Sequence, residues 1–196
     1  CLIYIDFKVR CSMPITDFLE RNARLYPNDK ALTEITPQNQ PDKTLTWREY
    51  NLIETAEGEE YRREITWGQF DIMANRFANF LFTRGIKRGD KVAILLLNCI
   101  EFLPIYFGII KTGAIVVPMN YRYSSEEILY CADLADCRMI VTGPEFTERI
   151  DPILDKLNRI TDFIFVGERD KTPHFADNFA DMIYHCSSVV PPVEIS

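Results

Sequence analysis

"GIIKTGAIVVPMNYR", residues 108–122, reads as the end of a helix, a hinge at Gly113, an apolar strand stopped at Pro118, and an abrupt change to polar and aromatic residues. Glycine at the hinge avoids the Cβ clash that disfavours a left-handed turn at a helix end. The pattern raises one question: why should a buried strand deliver Asn120, Tyr121 and Arg122 so sharply to its carboxyl end?

The flanking segments answer in part. "KVAILLL" (91–97) is a continuous apolar run bounded by Gly89-Asp90 and Asn98, as expected of a strand buried on both faces. "EFLPIYFGIIKTG" (101–113) follows as a helix, with Pro104 expected to bend it by removing one backbone hydrogen bond. After the quoted stretch comes "SSEEILYCADLAD" (124–136), an amphipathic helix with Ser124 and Glu127 in capping-box spacing. "RMIVTG" (138–143) is a third strand and "DFIFVGE" (162–168) a fourth; the helical "PEFTERIDPILDKLNRI" between them has a break signal at Asp151-Pro152. Strands alternating with helices at these intervals imply right-handed crossovers. The fold class is therefore α/β, a mostly parallel doubly wound sheet flanked by helices. Such sheets bind ligands outside the carboxyl ends of their strands. The switch after "AIVVP" falls where functional groups are presented.

Towards the amino end, "ITDFLERNARLYPNDKALTEI" (15–35) predicts a helix with Thr16 as N-cap, ended by Pro27, then a short strand. "TWGQFDIMANRFANFLFTRG" (66–85) is the clearest helix. Phe70, Met73, Ala74, Phe77, Ala78 and Leu81 lie on one face, Thr66 and Gln69 have capping-box spacing, and Gly85 suits the residue just past the end. Residues 36–64 read as a polar insertion, 171–196 as a loose tail, and 1–12 as an upstream extension outside the fold, with the domain running from 13 to 196.

Composition narrows the function. Lys and Arg total 22 against 29 Asp and Glu, a net charge of −7, which argues against nucleic acid as the main partner. The six cysteines have no metal-ligand spacing, and only His174 and His185 could assist, so no metal site is expected and the thiols read as reduced, in a cytoplasmic setting. No run approaches the ~20 apolar residues of a spanning helix. There is no G-x-G-x-x-G, no G-x-x-x-x-G-K-[ST] and no G-x-S-x-G, so neither a dinucleotide cradle, a P-loop nor a serine-hydrolase elbow is present.

The order of the pieces says more. "ITWGQF" (65–70), carrying Thr66 and Trp67, resembles the first core motif of the adenylate-forming acyl-CoA synthetases, a Leu-Thr-Tyr-x-Glu-Leu pattern. That superfamily also contains luciferases and the adenylation domains of peptide synthetases. "IIKTGAIVVPMN" (109–120), carrying Gly113 and Pro118, resembles the second motif, Leu-Lys-Ala-Gly-x-x-x-x-Pro-Leu-Asp or -Asn. The likeness covers roughly 14–168, with 36–64 departing from the family's shorter link. "LTWREY" (45–50) also matches the first motif, but Gly58 follows where a long helix should run, so the second copy is the better assignment.

The resemblance implies the first subdomain of the large amino-terminal domain of a fatty-acid–CoA ligase-like enzyme. Such an enzyme activates a carboxylate with ATP and Mg2+ and transfers the acyl group to coenzyme A. It further implies that the family's phosphate loop and catalytic lysine lie outside these 196 residues, so that no catalytic residue is assigned here and the chain is a truncated piece whose partner is the remainder of its own polypeptide. Asn120, Tyr121 and Arg122 are the residues carried over towards coenzyme A, with Arg122 able to pair with a phosphate and Tyr121 able to stack. An alternative assigns them only to packing at the sheet edge. A stand-alone flavodoxin-like binding or regulatory domain remains the other reading of the whole chain.

Overall fold

The computed structural model describes residues 14–35 and 62–193. The extension at 1–12 and nearly all of the insertion expected at 36–64 lie outside the described residues.

The elements run α1 (Ile15–Leu25), β1 (Lys30–Ile35), β2 (Arg62–Thr66), α2 (Trp67–Thr83), β3 (Lys91–Leu95), α3 (Phe102–Lys111), β4 (Ile115–Pro118), α4 (Ser125–Ala135), β5 (Cys137–Thr142), α5 (Thr147–Ile150), β6 (Asp162–Phe165), β7 (Asp177–Asn178) and α6 (Phe179–Tyr184). β3 to β7 form one parallel sheet in the order β4-β3-β5-β6-β7, and β1 pairs antiparallel with β2 as a separate hairpin. The four expected strands are therefore consecutive units of one parallel layer, as the doubly wound reading requires.

Alternation along the central strands builds two cores. Val92 and Ile94 of β3 join Met139, Val141 and Ile164 against Phe77 and Leu81 of α2 and Ile105 and Ile109 of α3. Ala93 and Leu95 face the other way, with Ile140, against Ile128 of α4 and Phe146 and Ile150 around α5. Both faces of β3 are thus sealed, which is why its sequence is apolar without alternation. α2 and α3 approach so closely that a Cβ on Gly108 would sit 2.9 Å from the Ala74 carbonyl oxygen.

The local signals act as their chemistry dictates. Thr66 Oγ1 accepts from the Gln69 amide while Gln69 Oε1 accepts from the Thr66 amide, closing the capping box of α2. Ser124 and Glu127 do the same for α4. α2 ends in a Schellman motif: Gly85 has φ +73°, its amide donates to Phe82 and the Ile86 amide donates to Leu81. Gly113 takes φ +78° after α3.

Several expectations need correction. Among the described residues β4 is an edge strand flanked by β3 alone, with Ile115 half exposed. Pro104 costs α3 no intrahelical hydrogen bond; the helix starts at Phe102, so the proline lies in the first turn, where backbone N–H groups lack intrahelical acceptors. α1 begins one residue before Thr16, with Pro14 at its N-cap, and Thr16 is buried. Arg62–Thr66, the end of the expected insertion and the start of the first motif, is strand β2. The expected loose tail contains β7 and α6, and its later part is tied down: Asn79 Nδ2 donates to the carbonyls of Ser187 and Val189.

Candidate functional site

The chain leaves β3 for β4 on one side and returns across it to β5 on the other, so the switch in winding lies between β3 and β5. A crevice at the carboxyl edge of the sheet is the consequence. Its cavity is about 850 Å³. Leu96 to Cys99 enter from the loop after β3, Gly143 to Glu145 from the loop after β5, and Val166 to Glu168 from the loop after β6. The β1–β2 hairpin supplies a wall through Glu34, Ile35 and Arg63, and α6 contributes Phe179. Gly143 and Gly167 keep two of these loops close to their neighbours. A Cβ at 143 would meet Glu145 Oε2 at 2.8 Å, and one at 167 would meet the Phe165 ring at 2.6 Å.

The wall is held by an ion cluster. Arg63 donates Nη1 and Nη2 to the two oxygens of Glu101, each at 2.9 Å, and Nε to Glu34 Oε2 at 3.1 Å. That same Glu34 oxygen accepts from the Ile100 amide at 2.9 Å. Burial alone would lower the Arg63 pKa, but the hydrogen bonds to Glu101 and Glu34 outweigh it and raise it further. Burial, reinforced by the Glu101 charge, pushes the Cys99 thiol up to about 12. It is therefore neutral at physiological pH and unsuited to nucleophilic work. Lys171 pairs with Glu168 at 2.8 Å, so two cations stand among four carboxylates in the cleft. Sequence reasoning missed Glu34, Arg63, Cys99 and Glu101. Nothing local distinguishes them, since the cluster exists only once the hairpin folds over the loop after β3.

Asn120, Tyr121 and Arg122 follow β4 and are exposed, but the edge position of β4 keeps them out of the residues that line this cleft. They are organised among themselves. Asn120 Oδ1 accepts from the Arg122 amide, Arg122 Nε donates to Tyr121 Oη at 3.0 Å, and the guanidinium lies 5.4 Å from the Tyr121 ring centroid. Arg149 fastens the turn by donating to the carbonyls of Tyr121 and Tyr123. Thr66, Trp67, Gly113 and Pro118 take structural places: the cap and first residue of α2, the hinge after α3, and the end of β4. Trp67 stacks on Phe70 at 6.1 Å between centroids.

Among the described residues no group of three His, Cys, Asp or Glu side chains is arranged to hold a metal ion, and no helix is long and apolar enough to cross a membrane. Cys99, Cys131, Cys137 and Cys186 are free thiols.

Comparison with known proteins places these features. A family model described as AMP-binding enzyme matches residues 19–182. The chain is 34% identical over 118 residues to a crotonobetaine/carnitine–CoA ligase of Proteus mirabilis, covering 60% of this chain and 22% of that protein. It is 30% identical over 133 residues to the long-chain-fatty-acid–CoA ligase FadD13 of Mycobacterium tuberculosis, covering 66% and 24%. The chain thus spans about a quarter or less of the length of these curated relatives. Among solved structures, an anthranilate CoA ligase, AuaEII, in complex with anthranoyl-AMP superposes with a TM-score of 0.72 at 25% identity, covering 92% of this chain and 29% of that one. The N-terminal domain of FACL13 from Mycobacterium tuberculosis superposes with a TM-score of 0.70 at 24% identity, covering 93% and 39%; at that identity it supports the fold alone.

Proposed function

The chain belongs to the AMP-binding enzyme family, and from that premise we propose that it is the amino-terminal part of an acid–CoA ligase acting on a carboxylic, and specifically a fatty, acid. In the proposed reaction a carboxylate oxygen bonds to the α-phosphorus of ATP while the α–β phosphoanhydride breaks, releasing pyrophosphate. The sulfur of coenzyme A then bonds to the acyl carbon as the carbon–oxygen bond to AMP breaks and the thiol proton is lost. Mg2+ would neutralise phosphate charge during the first step.

The observation that carries this reading is the match over residues 19–182 together with relatives that are CoA ligases. The geometry is consistent with it, because a crevice forms where the parallel sheet switches direction. The residues described here supply a scaffold and one wall of a site, with two cations among four carboxylates in the cleft. Binding a triphosphate demands preorganised donors aimed at its oxygens, and this set lacks them. The 196-residue chain alone is therefore proposed to be incompetent, with the rest of its polypeptide as its partner and the cytoplasm as its setting. Arg122 remains the proposed contact for a coenzyme A phosphate, presented by the Asn120 turn and the Tyr121 ring.

The test has two arms. Carboxylate-dependent exchange of pyrophosphate into ATP should be undetectable with the 196-residue chain. The gene read beyond Ser196 should encode a Ser/Thr/Gly-rich loop ending in Pro-Lys, and the extended protein should form AMP only when acid and coenzyme A are both supplied. Exchange by the short chain refutes the division of labour; an unrelated downstream sequence refutes the ligase reading itself.

A further inference from the structure

The β1–β2 hairpin is held differently at its two ends. At the root, the Trp67 amide donates to Asp29 and the Gly68 amide to Pro27, while Ala31, Leu32 and Ile65 pack against Leu19, Phe70 and Ala74. At the far end, Glu34 and Ile35 border two hollows, the cleft of about 850 Å³, which Arg63 also lines, and a smaller one of about 460 Å³ lined by Leu32 to Ile35 on one side and by Asn98 to Ile100, Phe102 and Leu103 on the other. Cys99 borders both hollows. Among the described residues, polar contacts close the gap there: the Arg63 fork on Glu101 and Glu34, and the Glu34 oxygen on the Ile100 amide.

We propose that Arg63 is a latch, a positioning residue that clamps the tip of the hairpin onto the loop before α3, so that the hairpin is a hinged wall whose release joins the two hollows and uncovers Cys99. The asymmetry of the contacts supports this. The root rests partly buried Ala31, Leu32 and Ile65 on the buried side chains of Leu19, Phe70 and Ala74, whereas the far end is held by a polar cluster in which the Arg63 side chain is 51% exposed. A polar clamp near solvent opens at lower cost than a packed root, which is the property of a local opening unit. The cluster is also unforgiving. Without Arg63 two carboxylates meet with no cation between them, and their repulsion drives the tip away from the loop. A lysine cannot replace it fully, because one ammonium cannot chelate one carboxylate while reaching the other along a planar fork. The latch does not depend on which ligand the cleft takes, so its failure and the failure of the ligase reading are distinguishable.

Cys99 reports the state of the latch. In the purified 196-residue chain, labelling by iodoacetamide is followed per cysteine by peptide mass spectrometry, with amide exchange measured over 31–35, 63–65 and 98–101. Arg63→Met, which keeps most of the aliphatic stem, should label Cys99 about tenfold faster and lose protection in those three segments, with Arg63→Lys falling between it and the wild type. Cys137, fully buried in β5, serves as the internal control and should keep its rate. Glu101→Gln removes one jaw of the clamp but also a charge that raises the Cys99 pKa, so it is read by amide exchange alone; it should lose protection in the same three segments and carries the test should Arg63→Met not fold. Unchanged Cys99 labelling in Arg63→Met, or unchanged amide protection in both variants, overturns the latch. So does a parallel rise at Cys99 and Cys137, which would mean that Arg63 supports the whole fold rather than one wall.

Discussion

Lys111 offers the sharpest test of how this domain holds its charges. It lies in the "IIKTG" segment, at the carboxyl end of α3, with its side chain 2% exposed. Its Nζ sits 2.8 Å from Glu20 Oε1 on α1 and 2.9 Å from Asp71 Oδ1 on α2, so one ammonium joins three helices. Asp71 also accepts from Asn75 Nδ2 through its other oxygen at 3.0 Å. Replacing Lys111 by Met conserves the length and apolar character of the stem, so packing loss should stay below about 1.5 kcal/mol. The charge effect is larger. Breaking a buried pair by removing one partner costs roughly 3–5 kcal/mol. Glu20, at 37% exposed, regains water and contributes little of that, while Asp71, at 17%, cannot. A net loss of about 2–4 kcal/mol follows. Urea denaturation with a shared slope measures it. The decisive control adds Glu20→Gln and Asp71→Asn to Lys111→Met, removing the orphaned charges together with the cation. If stranded carboxylates cause the damage, this triple variant recovers at least half of the loss. A single-variant loss below about 1 kcal/mol, or a triple variant no more stable than the single, refutes the reasoning.

Two further outcomes follow from packing and from thiol burial. Gly108→Ala should lower the thermal midpoint: overpacking against the Ala74 carbonyl and Phe77 costs about 1–3 kcal/mol, and the better helix propensity of alanine returns only about 1 kcal/mol. An unchanged or higher midpoint by circular dichroism would show that α2 and α3 can separate freely. Burial, aided by neighbouring acidic charge, raises the thiols of Cys99 to about 12 and Cys137 to about 11. A folded pKa above the unfolded one gives stability that is complete below the unfolded thiol value and is lost as pH rises towards the folded one. Stability should therefore fall from about pH 9 upward. Cys99→Ala and Cys137→Ala should each flatten that alkaline slope in denaturation series at pH 8 and pH 10.5, and slopes identical to the wild type would count against the burial argument.

Legibility from sequence follows the range of the physics. Capping boxes at Thr66/Gln69 and Ser124/Glu127, the turn at Gly85 and the hinge at Gly113 are decided within six residues of chain, and each was readable. The strand runs were readable because burial on both faces leaves no room for alternation. β4 shows the limit of that inference: "AIVVPM" is as apolar as a central strand, yet strand order puts it at an edge, and order depends on which side of β3 each crossover lands. Arg62–Thr66 escaped recognition for a similar reason. "RREIT" is polar because its outer residues form ion pairs across the hairpin, such as Lys30 with Glu64 at 2.8 Å, and its partner strand is 27 residues away in sequence, from Ile35 to Arg62. The candidate site was legible in its position, the carboxyl edge, but not in its residues.

That mismatch bears on how the cleft works. Reading outward from "AIVVPMNYR" directs attention to Arg122, because a guanidinium beside an aromatic ring is the obvious partner for a phosphorylated ligand. The folded chain separates that residue from the cavity: Arg122 follows the edge strand, whereas the cleft lies over β3, β5 and β6. Within the cleft, Arg63 is committed to Glu34 and Glu101, and Lys171 to Glu168. Neither cation is available to an anion without breaking a pair and leaving a carboxylate facing the ligand. The floor formed by Leu96, Val166 and Phe179 is apolar, and the charged groups sit on the walls. Such a surface suits the uncharged portion of a ligand better than its phosphates.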